Sequence, residues 1–461
     1  MRPVRQTSGP MTGQAFTFIQ DFRFGDAPAE VVVHAKRSLL DLIGVAAAGS
    51  RLPVSDAVRT VSLEAFGGTD AGFFFDGRKA SVAGAAFANA MTIDGFDAHD
   101  GHPLTKGHAG CGVLAALAAF AGDGASLSGE AALAHLIAGY EVAIRAGIAL
   151  HATAPDYHTS GAWVALGAAA VGSRVMKLDR AATREALGIA EFYGPRSQMM
   201  RCIDHPTMVK DGSGWGAMTG VSAALLAQAG FTGAPAITVE GDDVARLWSD
   251  LGSRWRMSEQ YLKAYPVCRW AQPAMEAAAQ LQRDHDFTHS LIERITVRTF
   301  REASRLAVAA PEATDAAQYS LPFPVAALLV RGQVGPDEID GDALGDAEIL
   351  RVSRSVELVD DPRYSALFPA ERWAEVEIGL SDGRVLRSRP SVARGSAENP
   401  LSDAEVEAKF DMLMEAGGVA ERAESVKSMV MTLETAPSVA PLLEAITCPP
   451  LHVSKRMRAA E

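Results

Sequence analysis

The sequence predicts a mainly α protein: a large all-helical domain formed by both chain ends, with a smaller α+β lid domain inserted between them. Three observations predict it. In the first half, Ala- and Gly-rich stretches repeat their apolar residues every three or four positions, the spacing of one helix face. After about residue 265 the pattern changes to strand-like alternation, and from about residue 401 it returns to helical spacing. The expected domains are therefore 1–265 plus 401–461 for the helical part and 266–400 for the lid.

The elements follow in order. Residues 1–25 show no clear period. Over 30–48, Val32, Ala35, Leu39 and Leu42 share one face, which predicts a helix. Similar patterns predict helices over 79–92, 110–122, 129–150, 160–177, 180–191 and 216–230. Ser128 is placed to cap the 129–150 helix, with Glu130 in its first turn and Leu133, Ile137, Tyr140 and Ile144 on one side. Asp179 is placed to cap the next but one. Several of these helices are apolar nearly all round, so they belong inside a large domain. Residues 293–300 and 374–380 alternate as strands, and Ser381-Asp382-Gly383 turns the second into 384–387 as a hairpin. Residues 322–331 and 403–416 read as helices, 393–400 as a linker, and the chain closes in helices rich in Met, Val and Leu.

Composition narrows the function classes. A chain of 461 residues has room for two domains, and 48% hydrophobic with 21% charged residues is an ordinary globular balance. The net charge of -13 argues against a nucleic-acid surface, although a Lys/His pocket can still take a small anion. Cys111, Cys202, Cys268 and Cys448 are scattered without a CxxC pair, which fits free thiols in a reducing compartment. No apolar run follows Arg2 and Arg5, so no secretory signal is expected. Apolar stretches such as 111–122 are too short to span a bilayer, and the expectation is a soluble, cytoplasmic protein.

The chemistry concentrates in 93–108, which holds His99, His102, His108, Asp94, Asp97, Asp100 and Lys106 between two apolar stretches. Imidazole and carboxylate together make an acid-base set near neutral pH. Outside it, His158 lies in a polar knot before a helix, and Lys210 precedes the Gly-rich run 211–216. Lys263 stands where the two textures meet, and Arg196 and Arg201 lie near the Lys210 stretch. Each has a plainer reading: a histidine at a helix start caps it, and a loop lysine is solvated. The glycines after Lys210 are not a phosphate loop, which has its lysine after the glycines. A metal could be held by His99, His102 and His108 with Asp97 or Asp100, but the spacing fits no tight motif such as HExxH.

Taken together, the segments resemble the MmgE/PrpD family, which includes 2-methylcitrate dehydratase, cis-aconitate decarboxylase and iminodisuccinate epimerase. The residues that carry the likeness are 40–49, Asn89-Ala90-Met91, Phe96-Asp97, Gly107-His108, 139–142, His158-Thr159 with Gly161, Lys210 and 227–233. Lys263-Ala264-Tyr265-Pro266, Tyr319-Ser320-Leu321-Pro322, 399–402 and Lys409-Phe410 complete it. The resemblance implies a homodimer, an active site between helical domain and lid, and neither cofactor nor metal. It maps the family's functional positions onto Asp97, His108, His158, Lys210 and Lys263. The chain departs from the family pattern at Ala98, Ala109, Gln272 and Phe323, and its lid wall reads Cys268-Arg269-Trp270. Cys268 and Phe323 then become candidate substrate contacts, and the altered wall points away from cis-aconitate decarboxylation in particular.

The reactions of such a family share an enolate beside a carboxylate, so the site must supply a base and positive charge together. Lys210 and Lys263 are expected to clamp carboxylates of a small polycarboxylic acid. His108 and His158 are expected to divide the base and acid roles, with Asp97 orienting one imidazole. The leading reading is a dehydratase or hydratase of a hydroxylated di- or tricarboxylate. An epimerase is the second, and a non-catalytic carboxylate-binding protein is the third.

Overall fold

The computed structural model of the protein describes residues 13–122 and 127–451, so Arg2 and Arg5 lie outside it. The chain is 57% helical with a small mixed sheet, as a mainly α reading requires. The helices of the first half include α1 Gln14–Asp21, α2 Ala29–Gly49, α3 Val82–Asp94, α4 Gly110–Ala121, α5 Gly129–Thr153, α6 Gly161–Val175, α7 Arg180–Tyr193 and α8 Ser213–Gln228. A short antiparallel ribbon, β1 Ala71–Gly72 and β2 Lys79–Ala80, precedes α3.

The expected caps are made. The Ser128 side chain accepts from the Ala131 amide at 3.3 Å, and Asp179 accepts from Ala182 at 2.8 Å. Each bond satisfies one of the first-turn amides that a helix cannot satisfy itself. Small residues then let the helices close on one another. A Cβ on Gly112 of α4 would stand 2.0 Å from Val164 Cγ1 of α6, so only glycine allows that approach. By length and composition α5 could cross a membrane, which corrects the expectation that every apolar stretch is too short. Its most apolar window is 89% buried inside the protein, because α5 packs along α6 and α4 as a core helix.

The second half holds α9 Gln272–Asp284, α10 Pro322–Arg331 and α11 Ala347–Arg354 around a five-stranded sheet. Its strands are β3 Ile292–Thr299, β4 Val356–Asp360, β5 Trp373–Leu380, β6 Val385–Arg387 and β7 Ser391–Val392. β3 runs parallel to β4 and antiparallel to β5, and β5 also pairs with β6 and β7. The expected hairpin is the β5–β6 pair, and Gly383 takes φ +88° at its turn. Along β5, Ala374, Val376, Ile378 and Leu380 are buried while their neighbours are half-exposed, which is the alternation visible in the sequence. α12 Asp403–Ala416 packs back on α2, and α13 Ala423–Met431 and α14 Ala440–Thr447 follow.

Several details differ from the expectation. α1 turns Ala15, Phe16 and Ile19 inward, but it is too short for a period to show. Residues 79 and 80 pair with β1, so α3 starts at Val82 behind the Ser81 cap. α8 begins at Ser213, three residues early, because Gly212 in the left-handed region (φ +65°) turns the chain. α9, α11, β4, β7, the β1–β2 ribbon and a helix at Pro53–Val61 were not anticipated, and β4 is only half-buried, so its alternation is weak.

The site grows from this frame. The turn between α3 and α4 is buried at Asp97, His99, Asp100 and His102, and a backbone bridge joins Gly101 to Tyr261. Lys263 follows Tyr261 closely, and the segment before α10 lies across both.

Candidate active site

Asp97 is the pivot of the site. Its carboxylate forms a very short ion pair with the Lys263 ammonium, which also donates to the Asp97 carbonyl at 3.1 Å. Burial alone would raise the Asp97 pKa, but Lys263, His108 and His99 outweigh it and hold the carboxyl well below its usual range. Asp97 is therefore an anion at neutral pH. Its negative charge in turn keeps Lys263 protonated, shifting that lysine upward against its burial.

His108 faces this pair. Its Nδ1 donates in a short bond to the Asp100 carbonyl, which fixes the tautomer and leaves the Nε2 lone pair free. Nε2 stands 3.5 Å from Asp97 Oδ1 and 3.6 Å from Asp211 Oδ2. Burial, then Lys263 and His99, lower its pKa to about 4. A neutral imidazole with one aimed lone pair is the form a general base needs. His99 packs edge-on against it with ring centroids 4.2 Å apart, and its own Nε2 meets Asp94 at 3.1 Å.

Two layers hold the imidazole. The Ser160 hydroxyl accepts from the His108 amide at 2.9 Å and donates to Asp211 at 3.1 Å. Behind the turn, the Tyr140 hydroxyl and the Gly110 amide bind the Asp100 carboxyl. Lys409 of α12 pairs with Asp41 of α2 at 2.6 Å and donates to the Ala98 carbonyl at 2.6 Å. These contacts tie the turn to helices from both chain ends.

Lys210 enters from the other side. It adopts φ +46°, a left-handed conformation that a side-chain-bearing residue rarely takes and that clusters at functional sites. Its ammonium donates to Gln318 Oε1 at 2.8 Å, pairs with Asp315 at 2.7 Å and lies 5.6 Å from the Tyr319 ring centre. Gln318 Oε1 also accepts from the Asp97 amide at 2.8 Å, so one side chain joins Lys210 to Asp97.

The structure thus brings Asp97, His108, Lys210 and Lys263 together. Cys268 stands beside them: its amide donates to the Gln318 carbonyl at 2.8 Å, and burial with the Asp97 charge pushes its thiol up to about 12. Phe323 is fully buried at the start of α10, where its amide donates to Ser320 Oγ at 3.0 Å. His158 stands apart. Its ring lies 6.5 Å from that of His151, its amide donates to His151 Nε2 at 3.2 Å, and no described contact joins it to His108 or Asp97. His102 is also separate and pairs with Glu259 at 3.3 Å. Gln272 donates to the Tyr265 and Val267 carbonyls and so holds the loop that carries Cys268.

Two residues escaped the sequence reading. Asp211 is buried, which together with Asp94 and Asp97 raises its pKa to about 6 against the pull of His108. Its only signal was its place next to Lys210. Gln318 had one too, as the residue before Tyr319-Ser320-Leu321-Pro322. For a metal, Asp97, His99 and His108 have possible ligand atoms within 4.8 Å of one another. However, Lys263 already neutralises Asp97, and His99 Nε2 is engaged by Asp94. A divalent ion would have to displace an ammonium from that carboxylate.

The arrangement supplies a neutral base, a carboxyl group that burial pushes up to about 6, and two buried ammonium groups. Comparison with known proteins shows the family to which the chain belongs. The MmgE/PrpD N-terminal domain matches residues 14–251, and the MmgE/PrpD C-terminal domain matches residues 265–435. The cis-aconitate decarboxylase-like protein oryM of Aspergillus oryzae is 24% identical over 478 residues, covering 95% of this chain and 98% of that protein. A cis-aconitate decarboxylase of Aspergillus terreus is 24% identical over 477 residues, covering 92% and 93%. The chain belongs to the MmgE/PrpD family.

Proposed function

We propose that the protein is a lyase that removes or adds water on a small hydroxylated di- or tricarboxylic acid, with no cofactor. One arrangement carries the reading: His108 Nε2 is aimed between Asp97 and Asp211, Lys263 sits on Asp97, and Lys210 is joined to Asp97 through Gln318. His108 Nε2 takes the proton α to a substrate carboxylate. The electron pair of that C–H bond forms the alkene, and the C–O bond to the hydroxyl breaks. Asp211, protonated below its raised pKa of about 6, gives its proton to the departing hydroxyl, which leaves as water. Asp211 takes the acid role that the sequence suggested for His158. Lys263 and Lys210 stabilise the charge that builds on the carboxylate, a contribution of several kcal/mol in comparable sites, roughly 2.7–4 for one donor.

The names of the 24% identical relatives favour a second reading, loss of carbon dioxide from the same enolate-forming centre. An epimerase would use the same groups to return the proton to the opposite face. A decayed, merely carboxylate-binding site is disfavoured, because the buried charges are paired and aimed rather than replaced. The division into a helical domain (1–265 and 401–461) and a lid (266–400), and assembly as a homodimer, belong to the same proposal. Incubation with a panel of polycarboxylic acids, followed by mass analysis of the products, separates the readings. Loss of a water mass supports the lyase proposed here, loss of carbon dioxide the second reading, and inversion at constant mass an epimerase.

A further inference from the structure

Two cations next to the catalytic cluster have no ion-pair partner among the described residues. Lys106 precedes His108 by two positions and is held at φ +53°, the same rare backbone region as Lys210. Its carbonyl accepts the Tyr157 hydroxyl, and its ammonium lies 4.6 Å from the centre of the Tyr157 ring. Arg372 comes from the other half of the chain, at the start of β5. Its guanidinium crosses to the same turn, where Nη2 donates to the Pro103 carbonyl at 3.1 Å, and it lies 5.7 Å from the Phe368 ring centre. Its Nε is buried and has no hydrogen-bond partner.

Between them runs an aromatic wall. The Tyr157 and Trp270 rings are 6.3 Å apart, and Trp270 and Phe368 are 5.7 Å apart. Trp270 is two residues from Cys268, so the wall continues from the cluster. The Tyr157 hydroxyl feels the charges of both Asp211 and Arg372, and the Tyr261 hydroxyl those of Lys263 and Arg372. Burial and then Arg372 hold Lys106 below the usual lysine range, with Glu302 the one carboxylate that offsets them. Two mutually repelling cations and an orphaned guanidinium nitrogen at one half-buried place are costly without an anion.

We propose that Lys106 and Arg372 form a second carboxylate-binding subsite, so that the substrate is a tricarboxylate spanning from Lys263 and Lys210 to this pair. The inference rests on the reading of the cluster as a polycarboxylate site. A distal carboxylate would separate the two charges, give Arg372 Nε its acceptor and leave the reacting carbon at His108.

The test uses two unreactive acids, propane-1,2,3-tricarboxylate and glutarate, in calorimetric titrations of the full chain. The wild type should bind the tricarboxylate about 10- to 100-fold more tightly than glutarate. Lys106→Gln and Arg372→Gln should each abolish that preference while glutarate affinity stays unchanged, which also shows that the variants remain folded. Lys106→Arg should keep it. Equal affinity of the wild type for both acids, a preference that survives both Gln variants, or equal loss for both acids would overturn the subsite alone. A wild type that binds neither acid would overturn the polycarboxylate reading and the subsite with it.

Discussion

Replacing Lys263 with Met tests the electrostatics on which the base depends. In the wild type the ammonium sits on Asp97 and is second only to burial in keeping His108 neutral. Its removal deletes a positive charge and exposes the Asp97 anion 3.5 Å from His108 Nε2. The ammonium removed lies on Asp97, within about 6 Å of the imidazole, and at an effective dielectric constant of about 20 one unit charge at that distance is worth about 3 kcal/mol, or roughly 2 pK units. Partial relaxation reduces this, and the His108 pKa should move from about 4 into the range of about 5–6. Asp97, buried without its partner, should cost the fold about 3–5 kcal/mol at pH 7. The assay is a pH titration of the histidine ring protons by NMR, with the His108 signal assigned by its absence in His108→Gln, alongside urea unfolding at pH 7. A His108 pKa that moves by less than about half a unit would refute the claim that Lys263 holds the imidazole neutral.

The pH dependence of kcat/KM should be bell-shaped, because His108 must be neutral and Asp211 protonated. The acid limb should fall near about 4 and the alkaline limb near about 6, and Asp211→Asn should remove the alkaline limb. Gln318→Leu takes the shared acceptor from the Asp97 amide and the Lys210 ammonium, so it should lower stability by about 1–3 kcal/mol and reduce kcat. Gln318→Glu should restore part of both, and a Leu variant with full activity would remove Gln318 from the site. Activity should survive thorough treatment with EDTA. Loss on chelation, with recovery on adding zinc or manganese, would instead put a metal on Asp97, His99 and His108.

Most of the long helices were legible because their apolar residues repeat strongly, and Ser128 and Asp179 mark two of their starts. The β5–β6 hairpin was legible because Ser381-Asp382-Gly383 allows one tight turn between alternating runs. Short or half-buried elements such as α1 and β4 leave little pattern to read. At the site, the density of His and Asp in 93–108 pointed to chemistry, yet only three-dimensional packing separates His108 from His102. The first meets Asp97 and Asp211, while the second meets Glu259 on another face of the turn. His158 looked equivalent to His108 in the chain, but its ring lies beside His151. Asp211 and Gln318 were hidden for a related reason. An aspartate beside Gly212 reads as a turn residue and a glutamine as a surface one, until burial gives each a charge to answer.

The central claim is that His108 removes a proton α to a substrate carboxylate. The most direct measurement is proton NMR of the purified protein in deuterated water with citrate, 2-methylcitrate, cis-aconitate, malate and tartrate. The wild type should form or consume an alkene and place solvent deuterium on the α-carbon of at least one of them. His108→Ala should do neither, while melting as a folded protein. Exchange at the wild-type rate in His108→Ala would contradict the claim.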